Sequence, residues 1–195
     1  KFMDDIYRKT ISSDEIIGYP AFVYDGDVIV IEETEKVEEA VKYLAAHTCL
    51  GFDTETRPAF KKGEYHSVSL LQLAVHERVY LFRLNKCGFP ASLKRLLASN
   101  KVLKIGVGIR DDIKALQRLG SFVPAAFLDL QTFVEQYGIE EKSFSKLMAI
   151  IFHVRISKRQ RTSNWELPQL TEQQIRYAST DAWGALRMYN ELKRD

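Results

Sequence analysis

The stretch Leu50–Gly51–Phe52–Asp53–Thr54–Glu55–Thr56 constrains this chain more than any other. The apolar run from Cys49 to Phe52 reads as a strand, and it delivers two carboxylates at alternate positions. Side chains alternate faces along a strand, so Asp53 and Glu55 point the same way. Like charges side by side in a sheet repel each other. A divalent cation is the usual offset for such a pair. The plainer alternative is a strand that ends in a solvated polar loop.

The order of elements around this strand sets the fold class. Phe22–Tyr24 and Val28–Ile31 flank Asp25–Gly26, a pattern that predicts a β-hairpin. Val37, Ala40, Val41 and Leu44 recur at helical spacing behind Thr34, a capping residue type. Val68–Val75 is nearly continuous in apolar residues and predicts a central strand, with Val79–Phe82 returning beside it. Leu93, Leu96 and Leu97 mark a helix, and Val102–Val107 another buried strand. A helix is expected from about Arg110 to Leu119, stopping at Gly120 as a C′ residue, with a short strand at Phe127–Leu130. Ser143 caps the stripe Phe144, Leu147, Met148 and Ile151. Thr171 and Gln174 form a capping box that opens a last helix carrying Ala178, Ala182 and Ala185. An antiparallel start followed by alternating helix and strand predicts an α/β fold, one mixed sheet flanked by helices. No linker divides the chain. The expectation is a single domain over 1–195, with an arm and hairpin over 1–33 and the core over 34–195.

Composition narrows the class. With 195 residues, 46% of them hydrophobic and 28% charged, the chain can bury a sizeable core without staples. A net charge of +2 neither demands nor excludes nucleic acid, so only local clustering can speak. Cys49 and Cys87 are far apart and show no zinc spacing, which suits a reducing, cytoplasmic compartment. No apolar run reaches transmembrane length, so no membrane partner is expected. His47, His66, His76 and His153 lack metal-ligand spacing and read as structural or surface residues. The chain starts at Lys1 rather than methionine, so the expectation is a piece of a longer protein. Oligomeric state is left open.

Three further segments carry chemistry-bearing residues. Asp112 lies in Gly106–Val107–Gly108–Ile109–Arg110–Asp111–Asp112, where a strand turns into a helix. Acidic residues there also simply stabilise helix starts. Tyr177 and Asp181 are four apart and share one face of the last helix, beside its small-residue stripe. Arg155, Lys158, Arg159 and Arg161 run without an intervening acid to Trp165. Such cations with an aromatic platform suit a single strand, and a charged loop beside a core tryptophan is the alternative reading. Arg57, Lys61 and Lys62 lie just beyond the first carboxylates and could also approach a backbone.

Three ordered patterns emerge: D-x-E, G-x-G-x-x-D-D and Y-x-x-x-D. Together they resemble the DEDD superfamily of 3′–5′ exonucleases, in its tyrosine-bearing branch. That branch holds Werner-type exonuclease domains and ribonuclease D. The resemblance rests on Gly51–Glu55, Lys104–Asp112, and Ser163–Trp165 through Leu170–Glu172 to Tyr177–Ala182, and covers about residues 36–192. It implies catalytic roles for Asp53, Glu55, Asp112, Tyr177 and Asp181, the four carboxylates also being metal ligands. The sister branch carries histidine five residues before the last aspartate. Here that position is Arg176, so the tyrosine branch fits better. The family further implies a ribonuclease H-like fold with five strands. It implies two Mg²⁺ or Mn²⁺ ions, and nucleoside 5′-monophosphates released from a single-stranded or recessed 3′ end. DNA is expected over RNA, because the chain shows no appended helical domain of the ribonuclease D kind. The presence of all five motif residues argues against a silent binding module.

Overall fold

Val68–Val75 is buried along all eight residues, as its apolar run predicts, and the sheet extends to both sides of it. The computed structural model describes residues 6–194, so the first five residues of the expected arm and Asp195 lie outside it. In chain order the elements are α1 (Ser13–Ile17), β1 (Asp27–Ile31), α2 (Thr34–Ala45), β2 (Cys49–Thr56), β3 (Val68–Val75), β4 (Arg78–Arg83), α3 (Leu84–Cys87) and α4 (Ala91–Ala98). There follow β5 (Leu103–Gly106), α5 (Arg110–Leu119), β6 (Phe127–Asp129), α6 (Leu130–Phe133), α7 (Phe144–Phe152) and α8 (Glu172–Leu192).

The strands lie in the order β1-β4-β3-β2-β5-β6. β3 runs antiparallel to β2 and β4, and the other pairings are parallel. Among the described residues this is the mixed α/β sheet expected, with six strands rather than five. The sixth is β1, an edge strand that pairs with β4.

The expected hairpin does not form. The Tyr24 N–H donates to Thr180 Oγ1 at 3.0 Å, and Arg176 donates to the carbonyls of Tyr24 (3.4 Å) and Gly26 (2.8 Å). These backbone groups find partners on α8, and Gly26 does not take the positive φ that the two-residue turn needs.

The pleat divides the core. Leu50 and Phe52 of β2, with Leu71 and Leu73 of β3, pack against Val37 and Leu44 of α2 and Leu93 of α4. On the opposite face Leu70 and Ala74 of β3 meet Ala178 and Ala182 of α8, together with Trp165. Gly51 makes the contact between β2 and α8 possible: a Cβ there would stand 1.9 Å from the Ala182 carbonyl oxygen.

The caps mostly follow the sequence. Thr171 and Gln174 form the reciprocal capping box of α8, and Ser143 caps α7. Thr34 differs: the N-cap of α2 is Glu33, and the Thr34 hydroxyl donates to the Cys87 carbonyl at 2.9 Å. Gly120 ends α5 in an extended conformation rather than a left-handed one. No described helix is long and apolar enough to cross a membrane.

Candidate active site

The alternation of β2 puts Asp53 and Glu55 on the face covered by α8, and α8 brings Asp181 down onto them. One carboxylate oxygen from each of Asp53, Glu55 and Asp181 lies within 4.8 Å of the others. The sequence separates Asp181 from the other two by more than a hundred positions. The close seat of α8 on Gly51 is what brings them together.

Such packing of like charges shows in their acidities. Burial, then the neighbouring Glu55, Asp181 and Asp112, hold Asp53 well above the usual carboxylate range. Burial and Asp181 do the same to Glu55, against a hydrogen bond from Gln72. Asp181 is pushed up to about 7 by burial, with hydrogen bonds from Asp53 and Tyr177 opposing the shift. Burial and the three carboxylates raise the Tyr177 phenol, so it keeps its proton at neutral pH.

Asp112 approaches from the other side of β2. Thr54, the middle residue of the D-x-E pattern, donates its hydroxyl to the Asp112 carboxylate. Burial pushes Asp112 up to about 6, and that hydroxyl works against the rise. Asp112 is close enough to raise both Asp53 and Glu55, although it stands outside the tight trio.

Lys158 and Arg161 line a small cleft of about 140 Å³ with Tyr177 and Asp181. Arg159 borders an adjoining cavity that also touches Tyr177. Arg155 sits further back, where its Nε donates to the Tyr19 carbonyl at 3.4 Å and its backbone bridges to Ala21. All four cations are exposed.

Trp165 corrects an expectation. It is 1% exposed and belongs to the core under α8, so it offers no surface for a base. Its segment is held as structure: the buried Arg83 donates to the carbonyls of Trp165, Leu167 and Pro168, and Gln174 to Ser163 and the Asn164 carbonyl.

Sequence reasoning passed over several residues that shape the site. Gln72 of β3 lies directly opposite Asp53, is fully buried, and donates to Glu55 Oε1 (3.3 Å) and to the Ala178 carbonyl (3.4 Å). A glutamine inside a continuous apolar strand was the available signal. Asp129 accepts from the backbone N–H groups of Gly108 (2.9 Å), Ile109 (3.1 Å) and Gln131 (2.9 Å), which fixes the turn that delivers Asp112. Arg176 does not face the site, and ties the arm to α8 instead.

Three oxygens packed this tightly could hold a metal ion, and basic side chains and a phenol stand beside them. The chain belongs to the 3′–5′ exonuclease family, whose model matches residues 28–195. It is 31% identical over 196 residues to the bifunctional 3′–5′ exonuclease/ATP-dependent helicase WRN of Mus musculus, across 95% of this chain and 14% of that protein. The fold matches the Nibbler EXO domain of Aedes aegypti with a TM-score of 0.80 at 24% identity, covering 89% of this chain and 92% of that one. It also matches RNase D of Escherichia coli, described as an exoribonuclease involved in structured RNA processing. There the TM-score is 0.77 at 20% identity, over 85% of this chain and 44% of that one. The chain spans less than half the length of the first curated relatives it matches.

Proposed function

We propose that this domain is a metal-dependent exonuclease that removes nucleotides one at a time from the 3′ end of a DNA strand, single-stranded or recessed. The observation that carries this reading is the convergence of Asp53, Glu55 and Asp181 within 4.8 Å. A cation offsets carboxylates packed so close together, one buried and two half-buried, and an all-oxygen donor set suits Mg²⁺ or Mn²⁺. Asp53, Glu55 and Asp181 would hold one ion, and Asp53 with Asp112 a second. When bound, such ions supply Lewis acidity that activates water and steadies the leaving oxygen.

The chain's own residues do the rest. Tyr177 stays a neutral phenol, so its hydroxyl orients the attacking water rather than acting as a free phenolate. Lys158 and Arg161, beside Tyr177 and Asp181, meet the phosphate and offset its charge. Water adds to phosphorus, and the 3′ oxygen of the preceding nucleotide leaves with a proton. The product is a nucleoside 5′-monophosphate.

The DNA reading is supported by the likeness to the DNA polymerase I of Aquifex aeolicus, 27% identical over 149 residues and 75% of this chain. RNA is the second reading, favoured by the 27% identity to a ribonuclease D across 85% of this chain. A time course on end-labelled single-stranded and 3′-recessed DNA, beside matched RNA, tests both. A ladder that shortens from the 3′ end with Mg²⁺ or Mn²⁺ and stops with chelator is expected, faster on DNA. Chelator-resistant cleavage, or no cleavage, would overturn the metal-dependent reading; faster loss of RNA would transfer it to the second substrate.

A further inference from the structure

The aromatic surface that a single strand requires is absent from Trp165, and another part of the molecule offers one. The loop between β2 and β3 leaves the site directly after Glu55. Within it Phe60 is 80% exposed and Tyr65 66% exposed, although large aromatic side chains usually bury most of their surface. Lys61 and Lys62 stand between them, exposed, and their side chains make no ion pair with any described residue.

This loop is built to hold its shape. The Glu64 carboxylate accepts from the Lys61 N–H at 3.3 Å and bonds His66 at 2.6 Å, while Gly63 takes a left-handed φ of 83° to close the turn. Arg57 pairs with Glu166 at 3.3 Å and anchors the other end. Phe60 and Arg57 share a small groove with Thr162 and Asn164, at the end of the segment whose Lys158 and Arg161 line the carboxylate cleft.

We propose that this loop is the stacking platform for the nucleic-acid strand: Phe60 and Tyr65 carry bases, and Lys61 and Lys62 meet the phosphates between them. Aromatic faces stack any base, and free lysines complement a polyanion, so the occupant is a single strand without strong sequence preference. Phe60 is five residues from Glu55, a reach of at most about 18 Å. At about 3.4 Å per stacked nucleotide, the platform lies within roughly five nucleotides of the 3′ end. The proposal rests on the exonuclease reading of the carboxylate site.

Two measurements test it. In steady-state kinetics Phe60→Ala is expected to raise KM for a strand of about twelve nucleotides roughly tenfold, and the Tyr65→Ala double variant further. Phe60→Trp should restore KM, and the rise should vanish on a dinucleotide too short to reach the loop. Val123→Ala, an equally exposed apolar change elsewhere, should leave KM alone. An unchanged KM in the double variant would overturn the platform. The second measurement needs no turnover: fluorescence of Phe60→Trp, minus that of the parent protein, should quench on titration with the same strand in chelator. Quenching without hydrolysis in the parent protein would keep the platform and strike the exonuclease reading. No quenching would strike the platform alone.

Discussion

Asp53 carries two opposed roles that a single substitution separates. Its charge is needed for any cation in the trio, yet without a cation burial and the neighbouring carboxylates disfavour that charge. Asp53→Asn removes that charge and nearly keeps the shape. It should reduce metal-dependent hydrolysis by at least about a thousandfold, a loss of about 4 kcal/mol in transition-state stabilisation. The same change should raise the melting temperature of the chelated protein at neutral pH, because asparagine is neutral without having to take up a proton on folding. A lowered melting temperature would show that the carboxylate is structurally compensated by something other than metal. Gln72 works through Glu55 rather than on substrate. Gln72→Leu keeps the bulk but removes the donor that orients Glu55 and ties it to the Ala178 carbonyl. Partners that orient a metal ligand are typically worth about 10- to 100-fold in metal affinity. The activation curve with Mg²⁺ should shift by that factor with saturated activity largely recovered; a drop in activity that metal cannot restore would exclude a positioning role.

Among the elements, the β2–α8 contact decides whether a site exists at all. Helix α8 is set up locally by its capping box and its small stripe of Ala178, Ala182 and Ala185, and each of these was readable in the chain. Its depth on the sheet depends on Gly51, where an added methyl would collide with the Ala182 carbonyl. That atom is backbone and cannot swing aside. Gly51→Ala should therefore cost roughly 3 kcal/mol or more in denaturant unfolding, in the range of severe overpacking, and abolish hydrolysis by lifting Asp181 off Asp53. Wild-type stability with full activity would mean that the helix can sit higher without loss. The N-terminal segment departs from its local signal at this same scale. Asp25–Gly26 carries a hairpin signal, but Thr180 and Arg176 supply stronger partners for the backbone of Tyr24 and Gly26. Those partners, an acceptor on Thr180 and a donor on Arg176, lie at least 150 residues away, where no local pattern can reveal them.

Across the whole molecule, the site makes stability depend on pH in an unusual direction. Asp181 sits at about 7 and Asp112 at about 6 in the fold, against an unfolded value of about 4. Between those limits the folded state binds more protons than the unfolded one, so stability falls as pH rises. Glu64 and Glu77 are lowered instead, but both lie at the surface, where solvent screening leaves little effect. The chelated protein should therefore melt at a higher temperature near pH 5.5 than near pH 7.5. Mg²⁺ should stabilise it more at pH 7.5, where the ligands shed their protons readily. Calorimetric scans with and without metal check both, and a chelated melting point that rises across this interval would contradict the assignment.

The chain by itself determined the local units: the apolar strand that ends in D-x-E, the fully buried β3, the caps of α7 and α8, and the Tyr177–Asp181 face. These follow from period, capping chemistry and backbone sterics within a few residues, so a linear reading reaches them. Only the tertiary structure decided that β1 pairs with β4, that Trp165 lies in the core while Phe60 and Tyr65 face solvent, and that Gln72 holds Glu55. Each depends on which surfaces meet across the sheet. The carboxylates were legible as residues, but the 4.8 Å convergence of Asp53, Glu55 and Asp181 arises where α8 crosses β2 at a glycine.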